Sequence, residues 1–458
     1  MSSFKGIKAV QQMHPVKETP KEAPKPGKVK EAVAVHEDEP KETPPPPLSH
    51  PPVAAKPAAS WIKRLSSPKS SGEGAGAGAG AGAHAHAAVN VDEYMKKVEE
   101  LRPKWPDNRC LKYLTRDVMN AYSAKQQEVL VAITKTGVDN PDSSLGCYAM
   151  QPGDYDEYSK FFEPLIRDYH KAGASAKHVT DWNASDVGDK GVLDVTKLGL
   201  SELSMRVRVG RNLTSFNLPG RMSREERIKF EKTMLKAFAK LQGMKEYGGT
   251  VYSLTPDFGG SEKNPNLISQ DKYQQLIDDH VMFKDMAADP YLASAGIAND
   301  WPYGRGCYVS GDGQFIIWFG EEDQLRIMCM KKGTKLNEVF DRLREGLKVV
   351  ESIPGVTFAT SKNYGYVTSC PSNLGTGMRA SVHIKIPKLT ADGTDKKAKE
   401  VCKPLGLSVR GTGGEHTPIG KDGTVDISPS ARLYIREKDI IANLYKGIEQ
   451  LMAKENAA

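Results

Sequence analysis

The sequence predicts an α+β protein in which a small all-helical N-terminal domain precedes a larger domain with an antiparallel sheet flanked by helices. Apolar residues recur at helical spacing in the first folded part of the chain, and several later segments alternate polar and apolar residues with a period of two. Few of the predicted helices lie strictly between successive strands. An antiparallel sheet therefore fits better than a doubly wound parallel sheet.

Residues 1–90 do not resemble a folded domain. They contain four consecutive prolines at 44–47, many Lys-Glu and Ala-Pro pieces, and an alternating Ala-Gly run from about Gly74 to Ala83. These residues carry too little apolar surface to offset the conformational entropy that the chain would lose on folding. We therefore predict a disordered arm with a flexible linker. Two alternatives stay open for the arm: a spacer, or a protein anchor that attaches the chain to a cytoskeletal or flagellar structure.

Charge and cysteine content exclude several classes of protein. The formal net charge is +7, but residues 1–90 hold 12 Lys and Arg against 8 Asp and Glu, a surplus of +4 that leaves only +3 for the rest. We therefore expect no nucleic-acid partner. The six cysteines show no paired spacing, and no apolar run approaches the roughly 20 residues of a membrane span. We expect reduced thiols, no secretory signal or mitochondrial presequence, no membrane span and a cytoplasmic protein.

The N-terminal domain is predicted at residues 91–190. Helical spacing is seen over Asp92–Leu101, Asp117–Ala132 and Tyr155–His170, and a Gly-, Asp- and Lys-rich stretch near 186–191 marks the boundary. The C-terminal domain then covers residues 191–458. Its predicted strands are 203–209, 314–319, 325–330, 364–368 and 380–386, and its clearest helices cover 336–350 and 440–451.

Two short segments carry a recognisable chemistry. A thiol, a glycine-containing turn and an arginine lie within Cys370–Arg379, and the acidic segment Glu321–Asp323 precedes them. Carboxylates can bind a guanidinium, a thiolate can join them, and backbone amides followed by an arginine can receive phosphates. The combination indicates phosphoryl transfer to a guanidine.

Cys370–Thr376 resembles the signature of the phosphagen (guanidino) kinases, the family of arginine kinase and creatine kinase. The resemblance covers about residues 91–455, and further blocks agree with it in order: Gly137–Asn140, Arg206–Arg211, Leu276–His280, Asp300–Pro302 and Arg410–Thr417. It implies the two-domain fold predicted above. It also implies ATP or ADP with Mg²⁺, and a small guanidino compound as the second substrate.

The resemblance assigns nucleotide phosphates to a set of cationic and polar side chains. Alternation along one strand puts Arg206 and Arg208 on the same face, although each arginine alone would suit an ordinary strand surface. The nucleotide-binding residues that we predict are Ser204, Arg206, Arg208, His280, Arg326, Arg379, His383 and Arg410.

The resemblance also assigns the catalytic residues Glu322, Glu415 and Cys370. Glu322 would orient the guanidinium and accept its proton, and Glu415 would be the second substrate carboxylate. Exposed amides after Cys370 are expected to lower the pKa of its thiol. We expect no direct metal ligand, with Glu321 and Asp323 reaching magnesium through water.

Two features favour arginine as the guanidine. The segment 140–148 resembles the short substrate loop of arginine kinases, in which Ser143, Ser144, Leu145 and Tyr148 would contact substrate. Glu415 matches the second substrate carboxylate of arginine kinases, where creatine kinases have a small apolar residue. Gly320 and Gln324 depart from the usual pattern. Taurocyamine and other guanidines stay open, creatine is disfavoured, and a catalytically weak anchored scaffold is the alternative outside enzymes. The sequence leaves monomer and homodimer undecided.

Overall fold

The computed structural model describes residues 90–412 and 419–458. Its first part, up to His170, is helical: α1 is Val91–Leu101, α2 Arg109–Tyr113, α3 Arg116–Asn120, α4 Ala124–Asp139, α5 Asp154–Glu157 and α6 Ser159–His170. The all-helical character predicted for this region is confirmed. The arm predicted at residues 1–90 lies, apart from Asn90, outside the described residues.

Polar residues set the helix starts in this region. The side chains of Asn90, Asn108 and Thr115 each accept a hydrogen bond from a backbone N–H in the first turn of the helix that follows. Ser123 and Gln126 form a capping box at the start of α4. The single helix predicted over Asp117–Ala132 is therefore wrong, because the chain ends one helix at Asn120 and starts another at Ala124.

Ten strands lie within the described residues. They are β1 Leu203–Arg211, β2 Gly249–Ser253, β3 Gly306–Ser310, β4 Phe315–Phe319, β5 Leu325–Gly333, β6 Thr360–Ser361, β7 Gly365–Tyr366, β8 Met378–Lys385, β9 Leu407–Arg410 and β10 Thr424–Pro429. Eight of them form one sheet in the order β2-β3-β4-β5-β1-β8-β10-β9, and all pairs in it are antiparallel. The predicted antiparallel sheet is confirmed.

The remaining α-helices of the described residues follow β1 in the chain. They are α7 Arg224–Gln242, α8 Gln270–Asp278, α9 Pro290–Ser294, α10 Leu336–Glu351, α11 Lys396–Cys402 and α12 Glu437–Ala457. Helix α10 packs against β1 and β5, and α12 packs against β8 and β10. Alternate residues of β1, such as Val207 and Val209, are buried in the main core. The other face of the strand is thereby left for polar side chains. None of the helices in the described ranges is long and apolar enough to cross a bilayer.

The segment before Cys370 is held by the helical part of the chain. The Tyr155 hydroxyl donates to the Thr368 carbonyl at 2.8 Å, and the Ala149 N–H donates to the Ser369 carbonyl at 2.8 Å. Only Gly365–Tyr366 is strand here, so the longer strand predicted at 364–368 is wrong. These contacts place the thiol beside the substrate loop predicted at 140–148.

Candidate active site

Strand register gathers five arginines on one face of the sheet. Arg208 of β1 lies opposite Arg379 of β8, and Gly210 lies opposite Arg326 of β5. On the far side, Asp426 of β10 lies between His383 and Arg410. Because directly paired residues share a face and every second residue along a strand keeps it, these positions and Arg206 form one cationic surface.

A single carboxylate fixes one part of this surface. Asp426 accepts a hydrogen bond from Arg379 Nη2 at 2.8 Å, and its other oxygen lies 3.6 Å from His383 Nε2. Burial alone would raise the pKa of Asp426, but the contact with His383 and the charge of Arg379 hold it below its usual range. Arg379 also donates to Ser428 at 3.1 Å, so its guanidinium is held in place before any ligand arrives.

The central arginines carry a charge that the surrounding protein does not balance. Burial, followed by the charge of Arg326, lowers the pKa of Arg206 to about 10, and the same two causes lower the pKa of Arg208 well below its usual range. Lowered pKa values for cations mean that the charged forms are unfavourable where they lie. A bound polyanion would relieve this repulsion, which makes the surface suitable for nucleotide phosphates.

Arg432 belongs with these arginines, and the sequence reasoning missed it. Its Nη1 donates to the Asn373 side chain at 3.1 Å and the Ser372 carbonyl at 3.4 Å, in the loop after Cys370. Burial lowers its pKa, and the charge of Arg410 acts in the same direction. Arg432 stands outside any alternating pattern in the sequence, so no periodic signal indicated it.

The acidic segment lies at the tip between β4 and β5, beside the arginines. Glu321 Oε2 is 2.8 Å from Arg326 Nη2, and Glu322 Oε2 is 3.7 Å from the same atom. Trp318 lies under the Arg326 guanidinium with its ring centroid 5.2 Å away. In this structure Arg326 therefore connects the cationic surface to the acidic tip.

Glu322 has an unusual electrostatic environment. Burial, and then the charges of Glu321 and Asp323, raise its pKa to about 8. The charges of Arg326 and Arg208 oppose this rise only in part, so the carboxyl holds its proton more tightly than an exposed glutamate does. A guanidinium bound beside Glu322 would lower the pKa and favour the carboxylate that can orient it.

Asp323 points into the protein. Its Oδ1 accepts from Asn212 Nδ2 at 2.8 Å and from the Ser369 backbone N–H at 2.7 Å, and its side chain is buried. These contacts engage one oxygen of the carboxylate and tie the acidic tip to the residue that precedes Cys370. The expected water-mediated contact of Asp323 with magnesium stays a prediction.

The two departures beside the acidic tip have structural reasons. Gly320 has φ +76°, and a Cβ there would lie 2.0 Å from the Gly304 carbonyl oxygen, so a side chain does not fit. Gln324 is fully buried, accepts from the Leu213 N–H at 2.8 Å and donates to the Asn217 carbonyl at 2.8 Å. Both residues shape the tip without contacting the cationic surface.

Cys370 lies close to Glu322 but is not activated as expected. Burial, followed by the negative charge of Glu322, raises the pKa of its thiol to about 12, and a contact of 3.0 Å with the Ser372 hydroxyl only partly opposes this. The predicted lowering of the pKa is therefore wrong for the protein without ligand. The amides of the following turn do not outweigh burial next to a carboxyl.

The predicted substrate loop approaches the same place through Tyr148. Burial and then the charges of Cys370 and Glu322 raise the pKa of Tyr148 well above its usual range. The two serine hydroxyls serve the loop itself: Ser143 accepts from the Gly146 N–H and Ser144 accepts from Arg109, each at 2.9 Å. The Leu145 side chain is buried in the helical core.

Three predicted site residues are left: Ser204, His280 and Glu415. Ser204 pairs with His383 on the cationic face. His280 is exposed, has φ +58° and follows α8, and the carbonyl of the next residue, Val281, accepts a hydrogen bond from Trp318 Nε1 of β4 at 2.6 Å. Glu415 lies outside the described residues.

A cationic surface for a polyanion beside a buried carboxyl and a thiol is typical of an enzyme that transfers a phosphoryl group from a nucleotide to a small cation. Comparison with known families agrees. Residues 229–458 match the family "ATP:guanido phosphotransferase, C-terminal catalytic domain", and residues 106–167 match "ATP:guanido phosphotransferase, N-terminal domain". The chain belongs to the phosphagen kinase family and is a guanidino phosphotransferase.

Relatives with different named substrates are similarly close. Arginine kinase Oct f 2 of Amphioctopus fangsiao is 35% identical over 347 residues, 75% of this chain and 93% of that protein. The testis creatine kinase of Oncorhynchus mykiss is 36% identical over 360 residues, 76% of this chain and 88% of that protein. Identity alone therefore does not assign the guanidine.

Two solved structures share the fold. The duplicated taurocyamine kinase of Schistosoma mansoni, with bound transition-state analogue components, has a TM-score of 0.67 and 32% identity, covering 80% of this chain. The chain spans 48% of that duplicated protein. Lombricine kinase has a TM-score of 0.63 and 29% identity, covering 74% of this chain and 92% of that one.

Proposed function

We propose that the protein transfers the γ-phosphoryl group of ATP reversibly to L-arginine and thereby buffers ATP in the cytoplasm. The observation that supports the transfer best is the cationic surface, with the unbalanced charges of Arg206 and Arg208 at its centre, that ends at Glu322, whose pKa is raised to about 8. The division into domains at 91–190 and 191–458 is part of the proposal.

Each group of side chains has a role in this reaction. Arg206, Arg208, Arg379 and Arg410 would hold the phosphates, with Arg432 added from the structure. Their fixed positive charge would stabilise the charge that spreads over the transferring group in the transition state. Arg326 would exchange its contact with Glu321 for a phosphate oxygen, since it lies between the two surfaces.

The guanidinium would be aligned from the acidic side. Glu322 would bind it, hold the nucleophilic nitrogen in line with the γ-phosphorus and accept its proton. Cys370 lies next to Glu322 and would contact the guanidinium from another direction. A bound cation would favour the thiolate and so reverse the raised pKa of the thiol. Tyr148 would close the site on the side of the substrate loop.

Magnesium fits this arrangement as a companion of the nucleotide. Among the described residues no group of three or more His, Cys, Asp or Glu side chains could hold a metal ion. Glu321 would face a phosphate-bound ion through water, and Asp323 would join it through its second oxygen, since Asn212 and the Ser369 amide engage only Oδ1. The ion would neutralise phosphate charge and orient the phosphates.

The choice of arginine depends on the substrate loop and Glu415. The loop at 140–148 is short, which leaves room for a long guanidino amino acid, and its backbone would receive the α-carboxylate. Glu415 would be the second carboxylate on the guanidinium. The main competitor is taurocyamine, because taurocyamine kinase is among the structural relatives.

The test is a substrate panel with the full chain. We expect kcat/KM for arginine to exceed that for taurocyamine, lombricine and creatine, measured by ADP release with Mg²⁺. Glu415→Gln should lower turnover of arginine most, and Glu322→Gln should lower turnover far more than nucleotide affinity. Creatine or taurocyamine as the best substrate would overturn the choice of arginine, whereas unchanged turnover in Glu322→Gln would overturn the mechanism.

A further inference from the structure

A pocket lies on the opposite face of the sheet from the cationic surface. It has a volume of about 310 Å³ and lies between α10 and residues 180–183. Arg211, the last residue of β1, lines it. Because Arg211 is three residues after Arg208, the alternation of the strand points the two side chains to opposite faces.

Arg211 is buried with part of its hydrogen-bonding capacity unused. It is 1% exposed, and its Nη1 donates to the carbonyls of Gly210 and Thr376, each at 2.8 Å. Nε and Nη2 are buried without a hydrogen-bond partner. The Tyr366 ring lies under the guanidinium with its centroid 3.5 Å away, and Tyr366 opposes the lowering of the Arg211 pKa by burial, yet it gives neither Nε nor Nη2 a hydrogen bond of acceptable geometry. Each buried unsatisfied donor costs about 1–3 kcal/mol.

The geometry of Nε and Nη2 indicates which ligand group would accept their hydrogen bonds. Nε and Nη2 form one edge of the guanidinium, and two parallel N–H groups on one edge bind the two oxygens of a carboxylate. Glu351 and Glu437 act on Arg211 only as more distant charges. A carboxylate brought in by a ligand therefore matches the unused edge better than any side chain near it.

The other lining residues indicate the chemistry of the rest of the ligand. The rings of Trp182, Phe358 and Tyr366 are the aromatic part of the wall. Arg344 and Lys348, four residues apart on α10, add positive charge. Asp181 in the lining is paired with Lys438 at 3.1 Å, and Lys348 is paired with Glu345 at 2.7 Å, so Arg211 and Arg344 are left against Glu351. A flat, apolar ligand with one negative charge fits this balance.

We propose that this pocket binds a small aromatic monocarboxylate, whose carboxylate accepts from Nε and Nη2 of Arg211 and whose ring packs against Trp182. Arg344 and Lys348 attract the anion at the rim. The site is separate from the nucleotide surface, so it can be occupied while the nucleotide site is filled.

The probe is benzoate, titrated into the full chain with saturating MgADP, with binding followed by calorimetry and by tryptophan fluorescence. We expect saturable binding and a fluorescence change that disappears in Trp182→Phe. Arg211→Lys keeps the charge but removes the paired edge, and should weaken binding by about tenfold or more. Because Arg211 is buried, the double variant Arg344→Gln/Lys348→Gln at the rim provides a second test and should weaken binding several-fold.

Two controls separate this pocket from the nucleotide site and from simple apolar binding. Arg208→Ala should bind benzoate as the wild type does, and benzyl alcohol, which has the ring without the charge, should bind much more weakly. Absence of saturable benzoate binding, unchanged affinity in the rim variant, equal binding of benzyl alcohol, or loss of binding in Arg208→Ala would each overturn the proposal.

Discussion

Replacing Arg206 by methionine should stabilise the nucleotide-free protein while it disables the enzyme. Methionine keeps an unbranched stem and removes the charge. The pKa of Arg206 falls from 12.5 to about 10, mainly through burial. This corresponds to an unfavourable interaction of up to about 3 kcal/mol for the charged form. A base with a lowered folded-state pKa weakens folding at every pH below that pKa, so removing its charge should raise the free energy of unfolding at pH 7.

The same substitution should lower kcat by about 10²–10³, because one fixed charge at a charge-dense transition state contributes about 3–4 kcal/mol. Urea denaturation without nucleotide, together with turnover under saturating substrates, measures both effects. Lys331→Met is the matched control, since Lys331 is exposed on β5 and pairs with Glu338 at 2.6 Å. Its effect on stability should stay within about 1 kcal/mol. A destabilised Arg206→Met protein, or turnover close to wild type, would refute the reasoning.

Three other substitutions or truncations test separate parts of the structure. Removing residues 1–88 should leave kcat and KM unchanged, since the site residues all lie downstream; loss of most turnover in a folded truncated protein would contradict this. Gly320→Ala should lower the free energy of unfolding by more than Gly313→Ala, because both have positive φ but only the first would place its Cβ against the Gly304 carbonyl; equal losses in urea denaturation would argue against the collision. Arg379→Ala should reduce kcat by about 10² or more with the fold retained by circular dichroism, and near-normal rates would make Arg379 an ordinary strand residue.

Strand alternation predicted part of the site directly. Arg206 and Arg208 are two residues apart in a period-two segment, so their common face followed from the sequence. Register between strands distant in sequence was not predictable in the same way. The positions of Arg410 and His383 on either side of Asp426 depend on which residues pair, and Arg432 lies in a loop with no periodic pattern.

The differences between the sequence-based expectations and the structure come from local signals that were overlooked and from burial. The capping box of Ser123 and Gln126 was present in the sequence, yet the apolar spacing on both sides suggested one continuous helix. The inward direction of Asp323 depends on Asn212 and the Ser369 amide, which are remote in sequence. The raised pKa of the Cys370 thiol depends on complete burial beside Glu322, and no motif reports burial.

The most direct test of the site is the pH dependence of kcat/KM for arginine, which reports ionisation in the free enzyme. Glu322 must be ionised to bind the guanidinium, and its pKa is raised to about 8. We therefore expect kcat/KM to rise about tenfold per pH unit below that value and to level off above it. Cys370→Ser should keep this rise, because the pKa of the thiol is about 12 and lies outside the range. A kcat/KM that stays constant between pH 6 and pH 9 would contradict the role of Glu322.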